Sequence, residues 1–263
     1  MRLPVPVHLR GPPGRYAANR CVITHRVQDP GAGPNEPAEQ MRRFELLIGR
    51  RVDGLILGDA RLDGTNLAEL NRRKVRFVLV SRRSAGHLSI CGDDYRGGRQ
   101  IGEHLAALGH TNVGIIAGPS WASTSVDRVA GCVDALAEAG TKVPRSNILE
   151  LGFDAEHGHQ GALELLGRRR RPTAIFAVND YSAIGVMGAL RSAKLRPGTD
   201  IAVAGYNDVP VSSELTTPLT TIRSPLAEMG VRAVQTLLAV LHGLPVLPTT
   251  LPTELIVRES TTG

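Results

Sequence analysis

The sequence is poor in aromatic residues, lysine and cysteine, and each shortage narrows what the protein can be. Phe, Tyr and Trp make up 3% of the 263 residues, with a single Trp. A core must therefore be built from Leu, Val, Ile and Ala. Only Lys74, Lys142 and Lys194 are lysines, so the formal charge of +6 rests on arginine scattered along the chain. Scattered charge is not the continuous basic stripe of a nucleic-acid surface. The densest run, Arg168–Arg171, follows an apolar periodic stretch. Positive charge there suits the negative end of a helix macrodipole, so the run reads as a solvated helix end ahead of a phosphate contact. Cys21, Cys91 and Cys132 are far apart and odd in number, which fits neither a disulfide framework nor a zinc site. No metal or cofactor is expected. No apolar run reaches the roughly 18 residues that span a membrane. The opening MRLPVPVHLRGPPG is broken by prolines and has no h-region, so it is not a secretory signal. The expectation is a soluble, cytoplasmic protein.

What is present is regular alternation. Hydrophobic content of 42% and 21% charged residues are ordinary for a globular chain, and the length allows one large domain or two small ones. Apolar β-type runs occur at Gly54–Leu57, Arg76–Val80, Val113–Ala117, Ala174–Val178 and Ile201–Gly205. Between them, apolar residues three and four apart predict helices around Ile101–Leu108, Val129–Leu136, Ala162–Leu166 and Ile184–Leu190. This order predicts an α/β fold with parallel sheets covered on both faces. Gly109 and Gly140 stand where helices should stop, and Ser224-Pro225 should open a helix over Leu226–Leu241. The first 50 residues differ. Cys21–Thr24 suits a strand and Glu39–Ile48 a helix, but 1–14 and 28–37 are loop-like, and no normal first β-α unit is evident.

Enzyme signatures are missing: no G-x-S-x-G, no H-E-x-x-H, no G-x-x-x-x-G-K and no dinucleotide fingerprint. No catalytic residue is assigned. His157 and His159 would point about 200° apart on a helix, which disfavours a shared metal. What remains is polar and aromatic residues at the C-terminal ends of strands, where open α/β sheets bind ligands. Asn179-Asp180 follows one strand and Asn207-Asp208 another; Arg128 lies in a helix entered after a third, and Phe153 after a fourth. Asp180 is well placed to cap the helix beside it, and Asp208 suits a turn. Each residue alone has such an ordinary explanation. Their joint placement favours a ligand.

These residues lie in longer strings that resemble the LacI/GalR family of bacterial transcription regulators. The strings are RRVDGLIL (50–57), DDYRGGRQIGEHLAALGH (93–110), DRVAGCVDALAEAG (127–140), PTAIFAVNDYSAIGVMGAL (172–190), DIAVAGYNDVPVSSELTTPLTTI (200–222) and LPTELIVRES (251–260). The resemblance implies two Rossmann-like lobes of periplasmic binding protein type I architecture. One lobe would comprise 1–92 with 223–250, its start incomplete, and the other 93–222 with 251–263. It further implies a homodimer whose cleft takes a small metabolite, usually a sugar. By that likeness Arg128 and Asn179 hydrogen-bond effector hydroxyls, Phe153 packs on a sugar face, and Asn207 stands where relatives often have aspartate. Asp180 and Asp208 are left with capping and structural roles. The family's helix-turn-helix is not visible, so operator DNA is expected as a partner only if that element is supplied upstream. A solute-binding protein of a transporter and a nonfunctional truncated regulator are the alternatives.

Overall fold

Gly54, Leu55, Ile56 and Leu57 are all buried, with Leu55 and Leu57 in one apolar cluster and Ile56 in another on the opposite face. A strand with two dry faces must be covered twice, and the strands at Val113–Ala117 and Ala174–Ala177 are buried in the same way. A computed structural model describes residues 21–24 and 37–263. The chain runs β1 (Cys21–Thr24), α1 (Pro37–Gly49), β2 (Gly54–Leu57), α2 (Thr65–Arg72), β3 (Arg76–Val80) and β4 (Ser89–Gly92). It continues with α3 (Asp94–Ala107), β5 (Val113–Ala117), α4 (Ser123–Glu138), β6 (Ile148–Glu150), α5 (Ala155–Leu166), β7 (Ala174–Ala177) and α6 (Asp180–Ser192). The remainder is β8 (Ala202–Ala204), α7 (Val211–Glu214), β9 (Thr221–Arg223), α8 (Leu226–Leu241), β10 (Thr249–Leu251), β11 (Glu254–Ile256) and α9 (Glu259–Thr262).

Two compact units result. The first holds the described residues up to Cys91 together with Ala227–Leu251; the second holds Gly92–Leu226 and Pro252–Gly263. In the first unit the sheet order is β1-β2-β3-β4-β10, with β1 to β4 parallel. Phe44, Leu47, Leu67 and Leu70 from α1 and α2 cover one face; Met229, Ala233 and Leu237 from α8 cover the other. The strand at Cys21–Thr24 lies in register with Gly54–Leu57 and α1 connects them, so a first β-α unit does exist. Both elements were expected from the sequence, but a four-residue strand is too short to show a period, and the proline- and glycine-rich segments around it hid that the two form one unit. The loop-like opening at 1–14 and nearly all of 28–37 lie outside the described residues.

The second unit is a parallel sheet in the order β6-β5-β7-β8, with a separate antiparallel pair β9-β11. Ile101, Leu105, Cys132 and Leu136 from α3 and α4 fill one side against Val113, Ile115 and Phe176. Ala162, Leu165, Val186 and Leu190 from α5 and α6 fill the other against Ile116, Ile175 and Val203. Glycine sets how closely α3 and α4 approach: a methyl group at Gly98 would strike the Arg128 carbonyl, and one at Gly131 the Tyr95 carbonyl. That tight crossing brings the first turn of α3 beside Arg128. Gly109 and Gly140 stop α3 and α4 with φ of 81°, the left-handed geometry glycine adopts without strain.

Candidate functional site

The four residues expected at a ligand site all belong to the second unit, at the C-terminal edge of its sheet. Arg128, in the second turn of α4, is 7% exposed. Its Nε donates to Asp94 Oδ1 at 2.8 Å and its Nη1 to the Val178 carbonyl at 2.7 Å. The guanidinium carbon lies 3.7 Å from the centre of the Tyr206 ring. A cation against an aromatic face gains quadrupole attraction, and more in a desolvated place than in water. Three contacts therefore fix the plane of this guanidinium. A fork with five N–H donors retains capacity at Nη2.

Asn179 begins α6. Its Oδ1 accepts from the Ser182 N–H at 2.7 Å and its Nδ2 donates to the Phe153 carbonyl at 2.8 Å. The helix cap is therefore Asn179, not Asp180 as the sequence suggested. Asn179 has extended angles (φ −154°, ψ 166°), the geometry from which a side chain reaches the third residue on. Asp180 is already helical, and its carboxylate turns inward. It accepts from Thr221 Oγ1 at 2.5 Å and from the Val209 N–H at 2.8 Å, and it is fully buried. Burial pushes this carboxyl above the usual carboxylate range, against the pull of those two donors. Asp180 thus pins α6 to β9 and to the segment before α7.

Phe153 is half-buried beside β6, and its ring lies so close over Gly118 that any side chain at that position would collide with it. Asn207 is partly exposed, with φ of 111°, and Asp208 follows at φ 56°. Two successive non-glycine residues with positive φ are held strained by their surroundings. The Asn207 N–H donates to the Ile222 carbonyl at 2.7 Å. The Asp208 carboxylate accepts from Arg223 Nε at 2.8 Å and from Arg258 Nη2 at 2.7 Å. Asp208 therefore ties β9 to the segment after β11.

The structure brings the four together as one connected set. Arg128 bonds the residue before Asn179, Asn179 bonds Phe153, and Tyr206 under Arg128 immediately precedes Asn207. The sequence reading missed Asp94 and Tyr206. A signal was available for both: Asp94 opens a helix next to a second aspartate, and Tyr206 closes the apolar run Ile201–Gly205 with a polar atom. Chemically, the carboxylates Asp94, Asp180 and Asp208 are each committed to protein donors. What this edge offers a ligand is the remaining donors of Arg128, the second N–H of Asn179, the Asn207 amide and an aromatic ring. Among the described residues no group of three His, Cys, Asp or Glu side chains could hold a metal. No helix among them is long and apolar enough to cross a membrane.

Residues 103–261 match the periplasmic binding protein-like domain. Over 233 residues the chain is 30% identical to the HTH-type transcriptional regulator DegA of Bacillus subtilis, covering 86% of this chain and 69% of that protein. It is 31% identical to the HTH-type transcriptional repressor PurR of Actinobacillus pleuropneumoniae, over 78% of this chain and 61% of the repressor. Among solved structures, a LacI family transcriptional regulator from Mycobacterium smegmatis is similar with a TM-score of 0.79 and 30% identity, covering 86% of this chain and 84% of that one. Another, from Enterococcus faecium with bound ribose, has a TM-score of 0.75 and 26% identity over 84% of each chain. These relatives are transcriptional regulators, not enzymes. With its two units, its parallel sheets and these matches, the chain belongs to the LacI family of transcriptional regulators and carries that family's periplasmic binding protein-like domain.

Proposed function

We propose that the chain is the effector-binding and dimerisation portion of a LacI-type regulator, working in the cytoplasm as a homodimer, with a sugar or related metabolite as effector. Its two units would act as the lobes of a cleft, and Arg128, Asn179 and Asn207 would hydrogen-bond the effector while the Phe153 ring packs on an apolar sugar face. The observation that carries this reading is the immobilised Arg128 fork, held by Asp94, Val178 and Tyr206 beside Asn179 and Asn207. A rigid donor loses little entropy on binding, which is what a recognition site needs. The ribose bound to the Enterococcus faecium relative supports a sugar. Effector binding would favour one closure of the cleft by population shift, and the closed form would set the spacing of paired DNA-reading domains. Operator reading would need a helix-turn-helix supplied upstream. The chain spans 69% and 61% of the length of two relatives that are named HTH-type regulators.

The test is calorimetry. A panel of pentoses, hexoses and disaccharides including ribose is screened by thermal shift, and the best binder is titrated into the wild type and Arg128→Ala. Losing a charged donor from a dry site should cost about 1.5–3 kcal/mol, roughly 10–150-fold in affinity. Unchanged affinity would remove Arg128 from the site, and a panel without any binder would remove sugars from the proposal.

A further inference from the structure

The opposite edge of the same sheet, where the strands begin, is unusually basic. Lys142 precedes β6, Arg169, Arg170 and Arg171 precede β7, Arg191 stands in the last turn of α6, and Lys194 lies between α6 and β8. All six are exposed, and none makes an ion pair among the described residues. The acidic side chains around them are already engaged: Glu150 with Arg145, Glu164 with Arg168, and Asp200 with Arg196. Hydrogen bonds knit the edge together. Asn147 Nδ2 donates to Asn112 Oδ1 at 3.1 Å, Arg168 Nη1 to Asn147 Oδ1 at 2.7 Å, and Asn112 Nδ2 to the Arg171 carbonyl at 2.7 Å. With neighbouring strands about 4.8 Å apart, the edge of the four-stranded sheet is roughly 15 Å wide.

The ordinary explanation is compensation of helix dipoles, since α3, α4, α5 and α6 all end here. Each helix end carries about half a negative charge, so four account for about two of the six cations. Glu259 and the terminal carboxylate of Gly263, whose backbones pack against Gly198 at the β8 side, offset about two more. A surplus of about two positive charges remains. Most of it sits on three consecutive arginines, whose planar forks match phosphate oxygens better than lysine does.

The chemistry also selects the partner. Tyr95, Leu108, Val126, Leu163, Tyr181, Val211, Leu226 and Val257 are the large apolar residues most exposed on this unit, and of these Leu108 and Leu163, at the ends of α3 and α5, border the basic edge. A protein partner would want an apolar or aromatic anchor at the centre, and unstacked bases would want aromatic platforms. Neither is present. We propose that this edge holds the phosphate backbone of duplex DNA without reading its sequence, apart from the effector edge and from any operator-reading element.

The test is fluorescence anisotropy with a labelled 20-base-pair duplex of arbitrary sequence and the chain as it stands, from 50 to 200 mM salt. The variant is Arg169→Gln/Arg170→Gln/Arg171→Gln. Its charge-matched control is Arg50→Gln/Lys74→Gln/Arg76→Gln in the first unit, and thermal melts check both folds. Each phosphate contact contributes about 0.9 to the slope of log K against log salt, so the variant's slope should be shallower by about 2.7. Over the fourfold salt range the wild type should then lose roughly 40-fold more affinity than the variant, while the control follows the wild type. If the arginine variant misfolds, Lys142→Gln/Lys194→Gln replaces it, with a slope shallower by about 1.8. The proposal fails if the wild type does not bind at 50 mM salt, or if both triple variants weaken equally. It also fails if poly-glutamate displaces the duplex as well per charge as unlabelled DNA, which would make the edge a surface for acidic proteins.

Discussion

Arg128 and Asp94 are both nearly dry, with side chains 8% and 9% exposed, and the Tyr206 ring lies against the cation. Removing one partner of such a pair leaves an uncompensated charge indoors, whereas removing both is often close to neutral. Asp94→Ala should therefore cost about 3–5 kcal/mol in urea unfolding, and Asp94→Asn, which keeps an acceptor oxygen, clearly less. Asp94→Ala combined with Arg128→Leu should recover most of the loss. Simple addition of the two single effects would mean that the pair is not coupled. At this scale the sequence was legible in part. It located the set Arg128, Phe153, Asn179 and Asn207 through strand ends and motif strings, but it divided Asn179 from Asp180 wrongly as far as the cap is concerned. The cap depends on which residue is last in extended geometry, and the NDY order alone does not say. Asp180's true partners, Thr221 and Val209, lie 41 and 29 residues away and leave no local trace.

The elements that were legible are those with a period. The helix over Leu226–Leu241 has the bounds expected from its proline start and apolar spacing, and the strands Gly54–Leu57, Arg76–Val80 and Val113–Ala117 coincide with their apolar runs. The three-residue strands β9, β10 and β11 are too short for a pattern, and their pairing is decided by distant partners. The terminal helix α9 is likewise held by tertiary bonds: Ser260 Oγ donates to the Val203 carbonyl at 2.6 Å, and Thr261 Oγ1 lies 2.9 Å from His104 Nε2 of α3. His104 is held below the ordinary histidine value of 6.5 by burial and by the charge of His110; burial lowers His110 as well. The folded protein thus refuses protons that the unfolded chain accepts. The contribution is fully present above about pH 6.5 and is lost as the pH falls toward the depressed folded value. Melting temperature should decline from about pH 7 to about pH 5, and His104→Gln should flatten that decline. An identical slope in the variant would show that other groups set the pH dependence.

Across the whole molecule the chain passes between the units three times, after Cys91, Leu226 and Leu251. The first unit is therefore completed only by residues that follow nearly all of the second. One face of its sheet, with Ile56, Val78 and Ile90, is closed by Met229, Ala233 and Leu237 of α8, and β10 supplies the strand beside β4. Such long separations make closure late and slow, because loop entropy is spent before these contacts form. The second unit keeps its α3–α6 framework in one continuous stretch and needs only β11 and α9 from the end of the chain. Leu237 is fully buried, and its side chain lies close against Gly54 of β2. Leu237→Ala should cost about 2–5 kcal/mol, with the cost falling on the first unit. Hydrogen exchange under increasing urea should then release amides of β2 and β3 well before those of β5 and β7, splitting a transition that is closer to single in the wild type. If all four strands exchange together in the variant, the two units unfold as one cooperative body, and α8 stabilises both alike.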